Sequence, residues 1–321
     1  MKTKAFLSIL AVGTLATACG TAKEAVTINA AGATFPATLY QAWFHELAKE
    51  GDVKVNYQAV GSGSGVRQFN AGTTDFGASD KAISDDKIKE PVVQIPMTGG
   101  AIVPAYNNPG CDLKVTQTQL ADVFLGNITN WSEFGCDDRA ISVVHRSDGS
   151  GTTAGFTSSL SAFSDEWKEK VGAGKAVAWP VGVGAKGNSG VAGTIKNRVG
   201  ALGYVNYGYV LDGTLQQATI QNRAGNFVTA NAETSAAGLG QIKLDSKLRG
   251  SDPNPAGANS YPIVSLTWAL ARPEHPNNDT MKGVFNFMLS DEAQSMSDSL
   301  GYVPLPQSIR EQAREVVSTL K

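Results

Sequence analysis

Ile141-Ser142-Val143-Val144-His145-Arg146-Ser147-Asp148-Gly149-Ser150-Gly151-Thr152 joins two patterns in one short run. The β-branched residues at 141–145 predict a strand, and the chain then passes directly into a cluster of Gly, Ser and Thr. Small residues and hydroxyls at that junction read as the start of a helix. Unpaired backbone N–H groups and the helix dipole favour an anion there. Arg146 stands between the strand and the cluster, and its planar guanidinium can clamp two oxyanion oxygens. Asp148, two residues on, can orient it. The plainer alternative is an Arg–Asp surface pair.

Two stretches upstream share this property. Gly32-Ala33-Thr34-Phe35-Pro36 precedes a helix predicted over 36–49, with Pro36 at its opening and Thr34 as a candidate cap. Gly61-Ser62-Gly63-Ser64-Gly65 follows a strand signal in which Val53, Val55, Tyr57 and Ala59 alternate with polar residues. Each stretch alone is ordinary helix capping. Together they point to one crevice, because the carboxyl ends of strands converge in an open sheet. Further strands are expected at 75–79, 101–106, 201–205 and 262–270. Helices are expected over 117–124, 191–199, 280–289 and 307–320, with a loop at 250–260. This alternation predicts an α/β fold. Trp268 reads as packing.

Asp80 follows the strand at 75–79, and by itself it reads as a surface or turn-capping carboxylate. Inside an anion site it makes sense only if the guest brings a proton, which the carboxylate can then accept. A fully deprotonated guest would face an acceptor with no donor between them.

Composition narrows the alternatives. The chain has 321 residues, 42% hydrophobic and 17% charged, enough for a sizeable core and more than one domain. Without Lys2 and Lys4 of the leader, 25 basic side chains face 29 acidic ones, and no basic stripe is present, so nucleic-acid binding is disfavoured. Residues 1–18 read as an export signal too short for a stable membrane span, followed by a linker at 19–25. Leu15-Ala16-Thr17-Ala18-Cys19 looks like a bacterial lipoprotein cleavage box, with Ala16 where Leu is commoner. The alternatives are lipidation of Cys19 and an ordinary signal peptide with an incidental Cys. In an oxidising compartment Cys111 and Cys136 are free to pair, or they remain two thiols. Three Cys and three scattered His support no metal site. His45 and His275 read as solvated. No Ser has an evident base and orienter beside it.

The run Ala31-Gly32-Ala33-Thr34-Phe35-Pro36 resembles the opening signature of periplasmic phosphate-binding proteins of ABC transporters. The resemblance continues through Val55-Asn56-Tyr57-Gln58, the Gly61–Gly65 loop and Asp75-Phe76-Gly77-Ala78-Ser79-Asp80. It resumes at Leu125-Gly126, Ile128-Thr129-Asn130-Trp131, the run from Arg146 to Thr152, Lys186-Gly187-Asn188 and Gly203-Tyr204-Val205. It implies a two-lobed periplasmic-binding-protein fold of type II, with mixed sheets flanked by helices and the ligand cleft between lobes. The implied lobes are 26–105 with 262–321, and 106–261. Carried over residue by residue, it places inorganic phosphate against Thr34, the backbone N–H of Phe35, Ser62, Asp80, Arg146, Ser150, Gly151 and Thr152, with Asp148 supporting Arg146. It further implies no cofactor, no catalysis, a monomer outside the cytoplasmic membrane, and permease subunits as partners. The rivals are a binder of arsenate, sulfate or molybdate, a secreted phosphatase using Ser62 or Ser150, and an adhesive surface lipoprotein.

Overall fold

The computed structural model describes residues 25–49, 51–87 and 90–321; the leader and Cys19 lie outside them. Its strands are β1 (Val26–Gly32), β2 (Val53–Ala59), β3 (Phe76–Ser79), β4 (Val93–Asn107), β5 (Lys114–Val115) and β6 (Ser142–Arg146). They continue with β7 (Val183–Ala185), β8 (Ala201–Asn206), β9 (Gln216–Gln217), β10 (Thr219–Gln221), β11 (Phe227–Val228) and β12 (Val264–Ala271). The α-helices are α1 (Ala37–Ala48), α2 (Ser62–Asn70), α3 (Gln117–Leu125), α4 (Gly151–Phe163) and α5 (Asp165–Lys170). After them come α6 (Gly187–Lys196), α7 (Ala232–Leu239), α8 (Asn278–Met288), α9 (Asp291–Ser295) and α10 (Gln307–Ser318).

The alternating run at 53–59 forms β2, an edge strand that is only half covered, as a period of two requires. The interior strands β3 and β12 are buried at every position, so their sequences read as continuous apolar runs. The main sheet runs β2-β1-β3-β12-β4-β8-β6-β7, with β9 also paired to β4. Within it β1, β2 and β3 are parallel, and so are β6, β7 and β8. Both parallel sets therefore end their strands at loops that lead into helices, which is where ligands sit in such sheets.

One strand joins the two sets. β4 pairs with β12 through Ala101 and with β8 from Ile102 onward. The expected strand at 101–106 is thus only the second half of β4, because Val93 to Gly100 extend it into the first set. Each set carries its own aromatic core. Tyr40 stacks on Trp43 at 5.6 Å, and Phe76 meets Phe285 edge-on at 5.3 Å in one. In the other, Phe156 stacks on Tyr204 at 4.2 Å and Phe124 packs on Phe156. The arrangement is a two-lobed α/β fold with mixed sheets flanked by helices.

Two sequence readings are corrected. The helix expected over 191–199 is α6, which starts at Gly187 and ends at Lys196. His275 is not solvated: its ring lies 3.7 Å from the Asp75 carboxylate, and both side chains are mostly covered. His45 is exposed, and Trp268 is a core residue whose indole N–H donates to Leu248 O at 2.8 Å.

Cys111 and Cys136 form a disulfide with Cα atoms 5.3 Å apart. It fastens the turn after β4 to the segment following the short helical turn Trp131–Phe134. Closing a loop of this length is worth about 3.5 kcal/mol by chain entropy. Replacing both cysteines by Ala is expected to lower unfolding stability by about 3 kcal/mol in urea titration; a change below about 1 kcal/mol would contradict the estimate.

Candidate anion-binding site

Four helix N-termini converge where the two strand sets meet: α1 after β1, α2 after β2, α4 after β6 and α6 after β7. The segments at 61–65 and 147–151 approach each other closely. Gly63 N–H donates to Gly149 O at 2.7 Å. Gly61 has φ 90°, and a Cβ there would collide with the Asp148 carboxylate. A Cβ on Gly151 would lie 2.6 Å from Asp80 Cβ and 2.6 Å from Ser62 Oγ. Only glycine lets the N-terminus of α4 reach the carboxylate of the opposite set.

Arg146 is the last residue of β6. Its Nε and Nη2 donate to Asp148 Oδ1 and Oδ2 at 2.7 and 2.6 Å, a bidentate pair that is almost wholly buried. The remaining Nη1 is buried with no hydrogen-bond partner. Leaving a guanidinium N–H without an acceptor is costly, so this atom is a candidate donor to an anionic oxygen. Asp148 also accepts Gly187 N–H at 3.0 Å. Burial alone would raise its pKa. The Arg146 hydrogen bonds and charge, with the Gly187 N–H, outweigh that and hold the carboxyl below its ordinary range.

Asp80 follows β3 directly and is buried. Thr267 Oγ1 on β12 donates to its Oδ1 at 2.9 Å, and Ser62 Oγ to its Oδ2 at 3.3 Å. Burial raises its pKa to about 6, against the opposing pull of the Thr267 bond, Arg146, Lys175 and Ser62. A carboxylate held so high is a ready proton acceptor.

The remaining expected residues join the same network. Ser150 caps α4 by accepting Thr153 N–H at 3.0 Å. Thr34 does not cap α1, which has Pro36 at its cap position and no side-chain cap. Its hydroxyl instead accepts from Asn188 Nδ2 at 2.9 Å, and the same amide reaches Thr152 Oγ1 at 3.2 Å. Asn188 thereby ties α1, α4 and α6 together. Phe35 packs its ring edge-on against Tyr302 at 5.9 Å, and Tyr302 OH donates to Phe35 O. Its side chain is therefore structural, whatever its main chain does. Among the described residues no three His, Cys, Asp or Glu side chains converge to hold a metal.

Comparison with known proteins gives these residues a context. Residues 17–292 match the model of the PBP superfamily domain. The chain is 38% identical over 312 residues to phosphate-binding protein PstS of Pasteurella multocida, covering 89% of this chain and 88% of that one. It is 37% identical over 338 residues to phosphate-binding protein PstS of Haemophilus influenzae, covering 100% of this chain and 97% of that one. The chain belongs to the PstS family of phosphate-binding proteins. Among solved structures, a human phosphate-binding apolipoprotein shares the fold at a TM-score of 0.73 and 21% identity, covering 90% of this chain and 93% of that one.

This PstS-family site contains residues that sequence reasoning did not assign. Asn188 lies in the quoted Lys186-Gly187-Asn188 run, yet the helix expected from residue 191 leaves out the first turn of α6, where Asn188 sits. Thr267 sits in a strand buried on both faces, so no alternation singles it out. Tyr204 OH holds Thr153 Oγ1 at 2.6 Å and accepts Arg146 N–H at 3.2 Å, so it positions β6 against α4. His145 stacks on Trp179 at 4.9 Å, which gives it a packing role.

Proposed function

We propose that this chain binds inorganic phosphate outside the cytoplasmic membrane and delivers it to the permease of an ABC transporter, without chemistry. The observation that carries this reading is the shared burial of Asp80 and the unpartnered Arg146 Nη1 at converging helix N-termini. Phosphate suits both. Its ionised oxygens take donors from Arg146, the hydroxyls of Thr34, Ser62, Ser150 and Thr152, and the N–H groups of Phe35 and Gly151. Its remaining proton goes to Asp80. Sulfate brings no proton and meets the carboxylate as a bare acceptor. The named relatives from Pasteurella and Haemophilus support the same ligand.

The lobes are taken as 26–105 with 262–321 and 106–261. The change of partner along β4 supports a division in this region, and closure brings donors of both lobes onto one dehydrated anion. A phosphatase is disfavoured by the roles of its candidate nucleophiles. Ser150 Oγ accepts Thr153 N–H and Ser62 Oγ bonds to Asp80, and among the described residues neither hydroxyl is hydrogen-bonded to an imidazole. Anchoring through lipid on Cys19 remains part of this reading, and intact mass of exported protein decides it.

Titration calorimetry near neutral pH with phosphate, arsenate and sulfate tests the ligand. Phosphate is expected to bind one to one and sulfate roughly 10⁴-fold more weakly, the discrimination a site built around one buried hydrogen bond can reach. Arsenate retains a proton and is expected to compete. Equal affinity for sulfate, or turnover of a phosphomonoester, would overturn the reading.

A further inference from the structure

Lys175 lies in the connection between α5 and β7 and touches both halves of the site. Its carbonyl accepts the N–H of Ser150, the cap of α4. Its ammonium crosses to the other half and donates to Ser79 Oγ at 3.0 Å, at the end of the strand that leads into Asp80. Ser79 is itself anchored there, since its hydroxyl donates to Lys81 O at 2.6 Å and accepts Lys81 N–H at 3.2 Å. One residue is therefore tied by its main chain to the helix that presents Gly151 and by its tip to the loop that presents Asp80. Lys175 is partly buried, so its charge is only partly screened. With Arg146 it is one of two cations that pull the Asp80 carboxyl downward.

We propose that Lys175 is the latch of the loaded site, a positioning residue that holds the two halves together over phosphate and supplies a second positive charge beside Asp80. The two lobes cannot separate without breaking the Lys175–Ser79 bond, so the latch acts on ligand release more than on capture. Its charge also keeps Asp80 ionised to lower pH. Around that carboxyl lie also Arg146 on β6, Tyr40 on α1, Tyr57 on β2 and Tyr302, and Lys81, Arg249 and Asp252 line the same cavity; burial holds the three tyrosines neutral. The inference rests on phosphate as the ligand.

Stopped-flow release of inorganic phosphate from the full chain, with calorimetry from pH 5 to 8 at fixed ionic strength, tests it. Lys175→Met is expected to release phosphate about tenfold faster, with association changed less than about threefold. The pH below which sulfate begins to compete should move upward in Lys175→Met and stay near the parent's in Lys175→Arg. A purely structural lysine would not move that limit. Parent protein that binds phosphate, with both variants matching it in release rate and pH limit, overturns the latch alone. Parent protein that fails to bind phosphate overturns the ligand and the latch together.

Discussion

Arg146→Met is expected to weaken phosphate binding by roughly a thousandfold, about 4 kcal/mol, in calorimetric titration. The guanidinium is the one charged donor at the site with an unpartnered buried nitrogen among the described residues, and its other two contacts hold Asp148. Removing it costs twice. The anion loses a charged partner, and Asp148 is left as a partly buried carboxylate with no cation beside it, held only by backbone N–H groups such as that of Gly187. Unfolding in urea should therefore show a stability loss as well, of the order of 3 kcal/mol. The double variant Arg146→Met with Asp148→Asn separates the two effects: stability should largely return while binding stays lost. If the single variant binds phosphate within tenfold of the parent, Arg146 is not a ligand-binding group.

Asp80→Asn tests selectivity and carries a second, independent signature in pH. An Asn side chain can donate to a guest oxygen, so sulfate should bind at least a hundredfold more tightly while phosphate weakens, eroding the discrimination. An unchanged ratio of the two affinities would remove Asp80 from its assigned role. Without ligand, the Asp80 pKa is pushed up to about 6 from an ordinary 3.8, with burial the largest cause. A folded pKa above the unfolded one means that the fold retains a proton the unfolded chain releases. The associated stability is fully present below about pH 4 and is lost as pH rises through 6, by about 3 kcal/mol. The Asn variant lacks this titration. Its ligand-free form should be more stable than the parent at pH 8 by up to about 3 kcal/mol, with the gap closing by pH 4. A gap that does not narrow on acidification would mean that Asp80 titrates normally.

These two residues differ in how legible they were. Arg146 stands next to a strand signal and a Gly/Ser/Thr cluster, so its local chemistry points to an oxyanion before any fold is known. Asp80 has no such local mark. Its reading as a proton acceptor depended on its sharing a pocket with donors, and its environment comes from segments far away in the chain. Thr267 lies 187 residues on and Gly151 lies 71 on, yet both meet its side chain. Thr34 shows the reverse case. Its position before Pro36 suggested a cap, but the buried Asn188 amide claims the hydroxyl, because an unpartnered amide in the interior costs more than a missing cap at a helix start.

The order of residues by itself determined where backbone N–H groups would be gathered, since small residues after an apolar strand favour a helix start whatever surrounds them. It also supplied the motifs through which the family resemblance proposes donors and an acidic acceptor, and showed which two cysteines were available to pair. Tertiary structure alone decided that the start of α6 joins the other three, that Asn188, Thr267 and Lys175 lie with them, and that burial raises the Asp80 pKa to about 6. The reason is range. Helix starts and strand alternation are set by neighbours a few residues away. Burial and cross-strand hydrogen bonds are set by segments that become neighbours only when the two strand sets join along a common strand.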